Sequence, residues 1–83
     1  MSEIARLPTS LSVRLARQRI VLDDLRAHPE LVEQVDDIAR LPRLTGWAPS
    51  ILDVAVADLV ARGVLTDDAT GRLCVHPERW EKA

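Results

Sequence analysis

The chain contains no tyrosine and no phenylalanine, and its only aromatic residues are Trp47 and Trp80. Its interior must be assembled from Leu, Val, Ile and Ala, which favours helices packed on helices. Cysteine is nearly absent: Cys74 stands alone, which excludes an internal disulfide framework and suits a reducing compartment. With three glycines there is no glycine-rich phosphate loop. No apolar run approaches the roughly 20 residues that cross a membrane, and the opening MSEIARLPTS lacks the apolar centre of a signal peptide. An excess of positive charge is missing too. Eleven Lys and Arg stand against 13 Asp and Glu, a formal net charge of −2, whereas tight non-specific nucleic-acid binding rests on a positive balance. These absences point to a soluble cytoplasmic chain with no membrane association.

What is present fits one domain. A chain of 83 residues buries about 60% of its unfolded surface and is stable by only a few kcal/mol. Residues 1–9 show no hydrophobic period and are expected to form a flexible arm with Arg6 as its one basic handle. The domain proper is expected over 10–83. From 10 to about 27, Leu11, Leu15, Leu22 and Leu25 share one helical face, and His28-Pro29 closes the segment because a residue before proline is pushed out of the α region. A second strip of Val13, Ala16, Ile20 and Ala27 lies on the far side of this helix, with Arg14, Arg17, Arg19 and Arg26 between the strips.

A second helix is expected over about 30–41, opened by Pro29-Glu30, with Leu31, Val35, Ile38 and Ala39 as its buried strip and Pro42 as its stop. Trp47 is placed to seal the following corner. The third helix, about 51–62, carries the strongest signals. Ser50 is a cap residue with Asp53 set to reach back to it; Leu52, Ala55, Val56 and Leu59 fall on one face; Gly63 follows as a left-handed stop. Two short strands, Val64-Leu65-Thr66 and Arg72 to His76, then flank a turn with Gly71 at a positive-φ position, a hairpin over about 64–76. The last residues read as a brief turn or one helical turn, with Trp80 folding back on the domain.

This order of elements, with Asp36-Asp37-Ile38-Ala39-Arg40, the turn Leu44 to Ser50 and the helix exit Leu59-Val60-Ala61-Arg62-Gly63-Val64-Leu65, resembles the winged helix-turn-helix domains of MarR- and ArsR-type bacterial transcription regulators. The resemblance covers Arg19 to His76. It implies a mainly α fold, a three-helix winged helix-turn-helix with a two-stranded C-terminal β-hairpin as the wing, whose third helix enters the DNA major groove. By position, Ser50, Ile51, Val54, Ala57 and Asp58 would face the groove, with Arg72 on the wing. One departure is an insert, Leu41-Pro42-Arg43, that makes the stretch between Ala39 and Gly46 longer than the usual turn.

Two functions follow. The first is a dimeric transcription regulator that contacts DNA weakly and mostly through phosphates, with Arg14, Arg17, Arg40, Arg43, Ser50 and Arg72 as contact candidates. The second is a winged helix repurposed for protein–protein docking or dimerisation without DNA binding, through Ile51, Val54, Ala57 and Val60. It is motivated by the outward face of the third helix, which has no Arg, Lys, Asn or Gln before Arg62, the side chains that read base edges. Burying Ile51, Val54 and Val60 against a partner would contribute on the order of 1–2 kcal/mol each. Catalysis is not expected, since His28 and His76 each precede proline and neither has a nucleophile at a motif spacing. Cys74 and His76 lie on one side of a strand, but two ligands fall short of a zinc set, so neither metal nor cofactor is expected.

Overall fold

The computed structural model describes residues 10–82. The 1–9 arm lies outside them. In chain order the protein has a long helix α1 (Leu11–Ala27), two 3-10 turns (Pro29–Leu31 and Val35–Arg40), helix α2 (Pro49–Ala61), strands β1 (Leu65–Asp67) and β2 (Leu73–Val75), and a short helix α3 (Pro77–Lys82). Among the described residues it is mainly helical with one two-stranded antiparallel sheet. Among the described residues no helix is long and apolar enough to cross a membrane.

Helix α1 starts where Ser10, in extended backbone, accepts the Val13 amide at 3.2 Å, and ends at His28, whose φ of −134° already belongs to the pre-proline conformation. Its buried face is Gln18, Val21, Leu22, Asp24 and Leu25. The face is rotated from the expected strip: Leu22 and Leu25 are inside, but Leu15 is half-buried and Leu11 is 69% exposed. Leu11 borders an open hollow between the start of α1 and the end of α2, lined also by Arg14, Gln18, Asp58 and Ala61.

The second expected helix is not an α-helix. The chain makes a 3-10 turn, runs extended through Val32 and Gln34, and makes another 3-10 turn. The cause is Asp37, whose carboxylate accepts the amides of Glu33 (3.0 Å) and Gln34 (3.1 Å), while Gln34 caps the new turn in return. Such side-chain bonds offer the backbone an alternative to the helical ladder. They also hold Asp37 below the usual carboxylate pKa, the Gln34 amide contributing most. The extended link is used further on: the Glu33 carbonyl accepts the Leu73 amide at 2.7 Å, tying the α1 exit to β2.

Helix α2 also begins differently. Ala48 occupies the cap position and Pro49 the first turn, where its missing N–H costs nothing, so Ser50 lies inside the helix and makes no capping bond. The far end is as its glycine requires. Gly63 sits at φ 77°, its amide bonds the Val60 carbonyl at 3.0 Å and the Val64 amide bonds the Leu59 carbonyl at 2.9 Å. This pair of bonds closes the helix with Leu59 and Val64 packed together inside.

The hairpin pairs Leu65 with Val75, Thr66 with Cys74 and Asp67 with Leu73. Asp68 organises its tip, accepting the Thr70 hydroxyl (2.6 Å) and the amides of Thr70 (2.8 Å) and Arg72 (2.9 Å), and Gly71 takes φ 83°. Those bonds, the Thr70 hydroxyl first, draw the Asp68 pKa down. The core is wholly aliphatic: Val21, Leu22 and Leu25 of α1, Ile38, Leu41 and Leu44 of the central turns, Leu52, Ala55 and Leu59 of α2, then Val64 and Leu65. Trp47 and Trp80 pack against its edges, half-buried.

Candidate functional site

Helix α2 has two sides of opposite character. On the side toward α1, Asp58 receives a two-pronged bond from Arg14, Nη2 to Oδ1 at 2.6 Å and Nε to Oδ2 at 3.1 Å, and a third from Gln18 Nε2 at 3.1 Å. Gln18 is 3% exposed, and its Oε1 accepts the Trp80 indole N–H at 3.2 Å. The Trp80 ring lies under two guanidinium groups, Arg19 at 5.4 Å and Arg62 at 5.8 Å. The bond that Arg14 donates to Asp58, reinforced by the carboxylate charge, raises the Arg14 pKa above its ordinary value. Among the described residues no buried side-chain nitrogen or oxygen lacks a partner.

This seam corrects the placement of Asp58. The resemblance put it among outward-facing residues, whereas the structure turns it to α1 and neutralises it. The same pair occupies Arg14, a candidate phosphate contact.

The outer side is apolar and open. Val54 is 46% and Val60 51% exposed; Ala57 is exposed and Ile51 half-buried. Two hollows lie along one side of this row, beside Ala57 and Val60. One, of about 380 Å³, has Val35, Ile38, Leu52, Val56 and Ala57 in its walls together with Asp36 and Asp53. The other, of about 280 Å³, lies between Val35, Val60, Leu65 and Leu73 with Asp67 at its margin. Val35 belongs to both, so the hollows adjoin. Every charged side chain in their walls is an aspartate.

The remaining basic candidates are scattered. Arg17 is half-buried on α1, Arg40 is exposed and 3.7 Å from Asp37, and Arg72 lines a small polar hollow with Glu33, Gln34 and Thr70. Arg43 is exposed, and its amide donates to buried Asp24 at 3.0 Å. Ser50 is exposed in the first turn of α2. Arg14 lines one hollow and Arg72 another, well apart on the described surface. Among the described residues no three His, Cys, Asp or Glu side chains are grouped to hold a metal ion.

Four residues take parts that the sequence expectations did not give them. Gln18 and Asp24 are polar groups on the buried face of α1, Asp37 breaks the central helix, and Val35 joins the two hollows. Only Asp37 carried a local signal, the Gln34-to-Asp37 spacing of a cap. Comparison of the chain with protein-family models, curated proteins and solved structures finds no match.

Proposed function

We propose that the chain is a three-helix winged helix-turn-helix variant whose third helix, α2, docks protein instead of reading DNA. The element order supports the fold reading, with the two 3-10 turns standing for the second helix and β1–β2 for the wing. The bond from Leu73 to Glu33 supports it further, because it anchors the hairpin between the first and second helical elements. The observation that carries the function is the outer side of α2: Val54, Ala57 and Val60 are apolar and exposed, and the charged side chains in the hollows beside Ala57 and Val60 are all aspartates. An open apolar patch marks an interaction surface, and carboxylates at its rim repel phosphate.

A photo-cross-linking amino acid at Val54 or Val60, in cells that naturally produce the chain, is expected to give discrete protein adducts, while the same group at Arg17 gives none. Nucleic-acid adducts from the α2 positions, or none at all, would overturn the docking function.

The regulator function remains the second proposal because of one observation. With Asp58 turned inward, the only carboxylate left on the exposed part of α2 is Asp53, so phosphate contact through Arg17, Arg40, Arg43 and Arg72 meets less repulsion than the sequence implied. A mobility-shift assay on duplex DNA at low salt separates the two. Docking predicts no retardation at micromolar protein; a regulator predicts retardation that falls steeply with added salt.

A further inference from the structure

Resting on the docking function above, we propose that the occupant of the α2 face is a basic amphipathic helix of a different protein, presenting apolar side chains at 3- and 4-residue spacing with Lys or Arg on either flank. The first ground is shape. Val54, Ala57 and Val60 step by three and form one exposed ridge, and two adjoining hollows lie along the side of it that faces Val35. Ridges and grooves of this kind are what a second helix packs into. Ala57 makes the low point of the ridge, where a partner backbone approaches closest. From Val54 to Val60 the ridge runs about 9 Å, which matches one to two turns of a partner helix.

The second ground is charge. Asp36, Asp53 and Asp67 stand at the margins of the two hollows, all three exposed, and among the described residues none has an ion pair or a side-chain hydrogen bond. Elsewhere the protein pairs carboxylates readily, as at Asp23, Asp37 and Asp58. Three unpaired acids around an apolar floor complement a helix whose apolar stripe is bordered by cations. They disfavour a second copy of this chain. A two-fold contact through the ridge sets the same acidic margin against itself, since such an interface uses one patch twice.

The test uses the full chain and two synthetic 14-residue helical peptides, one built from Leu, Ala and Lys, the other with Glu in place of every Lys. Titration is followed by methyl NMR of the Ile, Leu and Val side chains. Expected is binding of the Lys peptide about tenfold tighter than the Glu peptide, the sum of several modest rim pairs, with the preference shrinking as salt is raised. Shifts should centre on Val54, Val60 and Val35. Val60→Asn should weaken both peptides several-fold while leaving the backbone spectrum folded, and combined Asp53→Lys and Asp67→Lys should reverse the preference.

Equal binding of both peptides, or shifts centred away from α2, overturns the basic-partner inference; the docking function is judged separately, by the cross-links. A peptide-free chain that dimerises in sedimentation, and loses that dimer on Val54→Asp, overturns it in favour of a second copy. Contacts from the Val54 and Val60 methyls to residues 1–9 in the free chain overturn it in favour of an internal occupant.

Discussion

Leu59 and Val60 are neighbours on α2 and live in opposite surroundings. Leu59 is fully buried, closes the helix through its carbonyl and packs on Val64; Val60 is 51% exposed and borders an open hollow. Asp58, beside them, faces α1 with all its bonds made, while Asp53, near the start of the helix, is exposed. The contrast separates the side of α2 that holds the domain together from the side free to do something else. Stability and function can then be perturbed independently on one helix.

The largest expected effect is on the closed side. Leu59→Ala should cost about 2–5 kcal/mol, enough to unfold a domain of this size, in a denaturant titration followed by Trp fluorescence. Next comes Asp58→Ala, which strips the Gln18 amide of its partner while Gln18 stays buried. A loss of about 1–3 kcal/mol is expected, and a change near zero would show that the seam is not needed for folding. Gly63→Ala should cost about 1 kcal/mol. A Cβ there meets Arg79 only at 3.6 Å, ordinary contact, so the penalty comes from φ 77°.

A smaller effect comes from acid. Asp68 and Asp37 both titrate below the usual carboxylate range, so their contribution to stability is complete above the unfolded value of about 4 and is lost as pH falls through the lower folded values. Thermal unfolding should therefore be insensitive to these groups near neutrality and decline below about pH 4, and Asp68→Asn should flatten part of that decline. The smallest effect is on the open side: Val60→Ala should change stability by less than about 0.5 kcal/mol. A loss comparable to Leu59→Ala would erase the distinction between the two sides.

Much of the architecture was legible because its signals are local. Ser10 and His28-Pro29 bound α1, and Gly63 and Gly71 stand where the backbone adopts positive φ. The start of α2 was misplaced by two residues because proline at the first helical position competes with serine as the marker. The central segment departs from its apolar spacing for a related reason: the spacing favours an α-helix, yet one carboxylate claims two amides and breaks the run. The exposed row of α2 could be read from spacing alone. The seam could not, because Arg14 and Asp58 are 44 residues apart and nothing in either neighbourhood announces the other. An acid with no partner nearby in sequence reads as surface charge even when its partner lies across the fold.

The bond between Trp80 and Gln18 joins positions separated by 62 residues. Closing so long a loop is entropically costly, while the turn at Gly63 and the hairpin need only neighbours. Attachment of α3 to α1 should thus come after the folding barrier, so weakening it speeds unfolding and leaves the refolding rate nearly untouched. Trp80, sitting at that junction, makes the step visible as a change in its own emission.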